Sequence, residues 1–454
     1  MHFLSLDAAG RLTITVLAVA LLLVGPCLAS PAQEARWPEN MAAGARAYQQ
    51  GDYAAAEKFY LAALEEARGF APDDARLAIT LNNLGLLAQA TGRPEKAEAH
   101  FREALSHLER IRGGNHSEVA TVLQNLGRLE HERENYAAAE PLLRRALSIR
   151  EKSLGPGHPE TATAFHNLGV LLLDRGDAAD AGPLLEQAVA LREKLASEND
   201  PRLAASLSTL AEALRKQRYY ARALPLYRRA LAIREKALGP EHPDLATTLN
   251  GLALLYHEQA LYPKAEPLFR RALAIREKTL GPEDPKVATT LKTMGELFQA
   301  QGRYREAAPL FQRALEIRER SLGGEHNDTV ASVNALGTIF FFQNRYAEAE
   351  VLLRRGLALS EKAFGADGHE VAEVLSTLAE LYRFQRRYAE AEPLYHRLVA
   401  MLEKAGVESR PQLGLALDNL AEAFAAQGKA KEAEETASRA RTLRARMAAE
   451  PPQP

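Results

Sequence analysis

Residues 249–285 read LNGLALLYHEQALYPKAEPLFRRALAIREKTLGPEDP. Leu249, Leu252 and Tyr256 fall at i, i+3 and i+7, which is one face of a helix. Ala265, Phe269, Ala272 and Leu273 form a second such face further along. Short polar breaks such as Gln301-Gly302-Arg303 separate the two helices of a pair. The second helix ends in Leu-Gly. In the preceding copy this is Leu238-Gly239-Pro240, where Gly239 is expected in the left-handed C-cap conformation and Pro240 blocks continuation. The Arg-Glu-Lys of the last turn reads as a solvated end that favours the helix dipole.

The pattern is one copy of a repeat. Leu84-Gly85 recurs as Leu126-Gly127, Leu168-Gly169, Leu210-Ala211, Leu252-Ala253, Met294-Gly295, Leu336-Gly337, Leu378-Ala379 and Leu420-Ala421, each step 42 residues long. A further copy stands upstream at Ala43-Gly44, one residue closer, which makes ten units. An alanine follows twelve residues beyond each Gly or Ala, as Ala97, Ala139, Ala181 and Ala223 show. Small residues such as Gly85 and Ala97 let the two helices of a unit approach closely. Neither helix can bury its stripe alone, so neighbouring units must stack, and the fold class is an all-α solenoid. The last unit departs from the pattern: Val407 replaces the linker glycine, and Ala437 and Arg441 stand where large apolar residues stand elsewhere. A more polar terminal unit suits a cap.

In order, Gly85, Ala97, Phe101 and Ala104 match the small, small, aromatic and small positions of the tetratricopeptide repeat. The 42-residue length, the linker LGPEHPD (238–244) and the string ALPLYRRAL (223–231) resemble the kinesin-light-chain type of that repeat. The resemblance covers residues 37 to about 446. It implies a right-handed superhelical solenoid of about ten helix-turn-helix units over residues 33–448, with 449–454 a disordered tail. Nothing resembles the coiled coil that would join a kinesin light chain to its heavy chain.

The chain has 454 residues, a formal net charge of -2 and 46% hydrophobic residues, an ordinary globular composition. Near-neutral charge removes the electrostatic argument for nucleic acid. The uncharged run LTITVLAVALLLV (12–24) follows Arg11 and leads into small residues. At 13 residues it is short of the roughly 20 that span a bilayer. Residues 1–32 therefore read as a secretory leader cut after Ala29 or Ala32, with a periplasmic or secreted product. The alternatives are an uncleaved anchor, or a lipoprotein at Cys27, which Pro26 disfavours. Cys27 is the single cysteine, so after cleavage no thiol chemistry remains.

Chemistry is sought first at the linker. His116, His158, Asp200, His242, Asp284, His326, Gly368 and Arg410 share one position. Stacked units separate neighbours by on the order of 10 Å, too far to share a metal ion, so these residues read as structural. The sequence has no P-loop, HExxH or GxSxG, and His131 and His166 are isolated. No enzyme, cofactor or metal site is expected.

Binding remains. The resemblance places the exposed face of the first helix on a concave groove, where Asn82, Asn83, Asn125, Asn167, Asn250, Asn334 and Asn419 fall at two adjacent positions. Amides both donate and accept, so a ladder of them can pair with an extended peptide. In IFFFQNRY (339–346), Phe340 falls on the buried stripe, while Phe341 and Phe342 face outward with Phe384 of the next unit. They form a candidate apolar anchor, or they tuck against the next helix. Arg128, Lys216, Lys292 and Arg383 alternate with Glu212, Glu296, Glu380 and Glu422, which predicts no preference for ligand charge. The expected function is a non-enzymatic scaffold that holds a partner protein or peptide in the groove. The alternative is a homo-oligomeric envelope-structural or assembly protein.

Overall fold

The computed structural model describes residues 2–6, 12–16, 31–195, 199–406 and 409–449. Strands β1 (His2–Leu6) and β2 (Leu12–Val16) pair antiparallel with Leu4 opposite Ile14, and β1 lies against helix α3. Among the described residues everything else regular is helical, in two bodies, Met1–Leu255 and Tyr256–Pro454.

In the first body, α1 (Pro31–Gln49) packs on α2 (Tyr53–Arg68), α3 (Arg76–Ala90) on α4 (Pro94–Arg112) and α5 (Ser117–Glu132) on α6 (Tyr136–Leu154). Likewise α7 (Pro159–Arg175) packs on α8 (Ala178–Leu195) and α9 (Pro201–Lys216) on α10 (Tyr220–Leu238). Helix α11 (Pro243–Glu258) carries the boundary. The second body continues with α12 (Tyr262–Leu280) and then pairs α13 (Pro285–Ala300) with α14 (Tyr304–Leu322) and α15 (Asn327–Phe342) with α16 (Tyr346–Phe364). The last pairs are α17 (His369–Phe384) with α18 (Tyr388–Ala405) and α19 (Arg410–Ala426) with α20 (Ala430–Ala449). Even helices also pack on the next odd one, as α4 does on α5 and α14 on α15. Both bodies are stacks of helix hairpins, as the 42-residue period requires.

The small positions do what their spacing predicts. A Cβ built on Gly85 would lie 2.5 Å from Phe101 Cε1, and one on Gly169 2.7 Å from Leu185 Cδ2. Ala97, Phe101, Ala104 and Leu108 of α4 are fully buried. The turn inside a unit needs one residue at positive φ. Gly302 supplies it at 69° and Asn344 at 61°. At the helix end Gly239 has φ 85° but ψ 164°, so it turns the chain outward into an extended linker instead of the expected left-handed cap.

Several expectations concern residues that are described only in part. The apolar run 12–24 begins in β2, while residues 17–30, including Cys27 and the Ala29 cut, lie outside the described residues, as do Val407 and the tail 450–454. Ala32 falls within α1. Among the described residues no helix is long and apolar enough to cross a membrane.

Candidate functional site

The linker histidines are helix caps. Nδ1 of His116, His158, His242 and His326 accepts the backbone N–H two residues on, at 3.3, 3.2, 3.2 and 3.2 Å. Asp200 and Asp284 accept the same bond through a carboxylate oxygen at 2.8 and 2.7 Å. An acceptor there satisfies one orphan N–H of the first turn, so both residue types serve. Of the isolated histidines, His131 Nε2 lies 2.9 Å from Asp174 Oδ2. His166 is buried, with Nδ1 3.2 Å from Ser206 Oγ. Burial, reinforced by the charges of Arg192 and Arg234, holds its pKa well below the ordinary value.

The Arg-Glu-Lys ends are not fully solvated. Arg150, Arg192, Arg234, Arg276 and Arg318 are buried. Each guanidinium reaches the odd helix that follows. Arg192 donates to Ser206 Oγ (2.7 Å), Arg276 to Thr290 Oγ1 (2.5 Å) and Lys286 O (2.8 Å), and Arg318 to Ser332 Oγ (2.7 Å) and Asp328 O (3.1 Å). Arg234 bonds Thr248 in the same way. First-turn acids add charge: Glu160 lies 3.3 Å from Arg150 and Asp328 3.8 Å from Arg318. Arg318 shows the fullest case: the long aliphatic stem packs while the fork meets a hydroxyl, a carbonyl and an acid at once. The rung ends at Ser360, where the string AIREK (274–278) has become ALSEK (358–362).

The asparagines divide. Asn82 and Asn83 on α3, beneath β1, are buried, and so is Asn125 on α5. Asn125 Nδ2 donates to Asn82 Oδ1 at 2.8 Å, and Asn82 Nδ2 to Asn83 Oδ1 at 3.4 Å. The expected ligand contact is replaced here by amides that satisfy one another. Asn167 and Asn250 are half-buried. Asn334 Nδ2 donates to Ser360 Oγ at 3.1 Å, and its Oδ1 occupies the niche left by the missing side chain of Gly356. Asn419 is nearly buried yet lines a recess.

The alternating charges largely cancel within the chain. Lys292 meets Glu296 at 2.8 Å, Arg383 meets Glu422 at 3.1 Å and Arg128 meets Glu132 at 3.2 Å. Glu212 accepts from Tyr227 Oη at 2.6 Å and from Arg215 Nε at 2.9 Å. Burial raises the Glu380 pKa, and nearby Arg383 only partly offsets it.

The second body holds two recesses. One, about 620 Å³, is walled by Glu296, Asn334, Thr338, Phe364, Glu370 and Val374. The other, about 610 Å³, is walled by Tyr395, Leu398, Met401, Leu402, Leu415 and Asn419. They share Gln299, Thr338, Glu373 and Thr377, so they form one trough across α13, α15, α17, α18 and α19. Leu398 stands where six earlier units carry Ala104, Ala146, Ala188, Ala230, Ala272 and Ala314. A larger residue at a close-approach position widens the wall there. Tyr395 Oη and Arg383 Nε are buried nearby, and neither completes a hydrogen bond of good geometry. The residues Ser360, Glu370, Leu398 and Met401 were not singled out from sequence. The break from AIREK to ALSEK was the signal for the first two.

The aromatic group lies outside both recesses. Phe341 is buried, not exposed, because Phe342 (5.3 Å), Phe384 (5.5 Å) and Tyr346 (6.1 Å) surround its ring. Phe342 and Phe384 remain 44% and 57% exposed, and Phe342 stacks on Tyr304 at 4.9 Å.

Comparison with known proteins agrees with this architecture. The family profile described as Tetratricopeptide repeat matches residues 39–110, 76–152, 118–194, 202–278, 257–320, 286–362 and 370–446. Kinesin-light-chain TPR-like repeats of Podospora anserina are 29% identical over 45% of this chain and 97% of theirs, with a TM-score of 0.40. A signal-transduction ATPase with a tetratricopeptide repeat sensor from Pyrococcus horikoshii has a TM-score of 0.57 at 14% identity, over 78% of this chain and 52% of its own. The quorum sensor NprR of B. thuringiensis, in its apo form, has a TM-score of 0.52 at 15% identity, over 80% and 97%. The last two likenesses concern the fold. No curated protein matches the chain.

Proposed function

Because the chain belongs to the tetratricopeptide repeat family, whose members are protein-interaction scaffolds, we propose that it captures a peptide segment of a partner protein in the trough of residues 256–449. The observation that carries this is the continuity of the two recesses through Gln299, Thr338, Glu373 and Thr377. A trough with an apolar end, at Leu398, Met401 and Leu415, and a polar end, at Asn334 and Glu370, suits an extended segment with alternating side chains. The proposal includes export, which the pattern from Arg11 to Ala32 supports.

The test uses a bead library of acetylated octapeptides with randomised sequence. The protein should retain a subset of beads, and Thr338→Trp, which fills the trough, should abolish retention. Retention unchanged by Thr338→Trp would sink the groove as the binding site. Export is checked by N-terminal sequencing of the protein recovered from outside the cytoplasm. An N-terminus at Met1 would remove the cleaved leader.

A further inference from the structure

Ser360 stands where the preceding units carry Arg276 and Arg318. In the same body, Arg276 and Arg318 fill this place with a guanidinium that meets a backbone carbonyl ten residues on and a hydroxyl fourteen residues on. Counting from Ser360, the corresponding residues are Glu370 and Val374. Both line the recess of about 620 Å³, together with Asn334, which is bonded to Ser360 itself. Ser360 is itself fully buried, with Asn334 bonded to it, so no side chain of the chain reaches from here to Glu370.

The acid is left behind as well. Asp328 has the Arg318 guanidinium at 3.8 Å, whereas among the described residues Glu370 has no cationic partner. One turn on, Glu373 lies 3.6 Å from His369. Lys292, the lysine on the recess wall, is held by Glu296 at 2.8 Å. Asn334 Oδ1 is turned away from the recess, into the niche at Gly356. The recess therefore presents the carboxylates of Glu370 and Glu373, of which Glu370 has lost the guanidinium that its counterpart Asp328 keeps.

Resting on the groove reading above, we propose that the trough takes a peptide segment bearing an arginine, whose guanidinium enters beside Glu370 and gives that acid the partner that the chain itself does not supply. Arginine suits this place better than lysine, because a planar fork serves a carboxylate and a carbonyl together. The neighbouring apolar recess at Leu398, Met401 and Leu415 receives an apolar side chain of the same segment.

The octapeptide library decides this. Peptides retained by the protein should be enriched in arginine at one position. Replacing that arginine by citrulline, its neutral isostere, should weaken binding about tenfold. Glu370→Gln should erase the difference between the two peptides. Ser360→Arg restores the internal rung and should evict the arginine peptides; its fold is checked by a thermal melt. The conservative Glu370→Gln keeps the test valid if Ser360→Arg does not fold. Retained peptides without basic enrichment, or equal affinity for arginine and citrulline, would overturn the arginine site while leaving the groove standing. Retention that Thr338→Trp does not touch would overturn both.

Discussion

Arg318 Nη1 donates to Ser332 Oγ at 2.7 Å, tying α14 to α15 through a buried guanidinium. A cation so placed cannot be removed cheaply, because its partners stay behind in a low-dielectric site. Arg318→Ala should destabilise the second body by about 3 kcal/mol. Arg318→Lys should recover only part of this, since one ammonium cannot take the place of Nη1 on Ser332 and the Asp328 carbonyl and also of Nη2 beside the Asp328 carboxylate. Urea titrations of the three proteins check the ranking; full recovery by lysine would refute the geometric role.

His166 predicts acid sensitivity. Its folded pKa is depressed, so in the folded state it stays neutral below the ordinary value, while the unfolded chain takes up the proton. Stability is therefore retained above pH about 6.5 and lost as pH falls below it, by up to about 1.4 kcal/mol per pH unit until the folded pKa is reached. His166→Gln should flatten this part of the profile. Melts between pH 7 and pH 5 test it, and an identical slope in the variant would exclude His166 as the cause.

The linker position should accept either cap. His326→Ala removes the acceptor for the Asp328 N–H and should cost about 1 kcal/mol. His326→Asp should restore it, as Asp284 does for α13. Thermal denaturation distinguishes the two, and equal losses would show that histidine does something beyond capping.

The phenylalanines should separate by burial. Phe341→Ala, at a buried ring, should cost about 3–4 kcal/mol. Phe342→Ser loses mainly its stack on Tyr304, about 1 kcal/mol. Neither ring lines the trough, so Phe342→Ser should leave octapeptide retention unchanged. Lost retention in a folded Phe342→Ser protein would return the aromatic group to the binding site.

The fold was legible because each unit repeats the same local demand. A stripe of apolar residues, a small residue opposite a large one and a glycine at the turn specify a hairpin that must stack, and Gly85 against Phe101 shows the fit. The site was less legible. Periodicity put Asn82, Asn125 and Asn334 on one helix face, but a helix face is shared by neighbours as well as by ligands. Asn125 found Asn82, and Asn334 found Ser360. Phe341 was closed off in the same way, by rings contributed from three other positions.

The sequence by itself determined the repeat, its all-α class and the linker at His242, since these depend on spacing along one chain. Only the tertiary structure decided which polar side chains are used up. The partner of Arg318 lies fourteen residues on, in another helix, and no helical periodicity carries that distance. Once those partnerships are known, the missing one at Ser360 becomes visible, because an absent guanidinium has meaning only beside the acid it would have met.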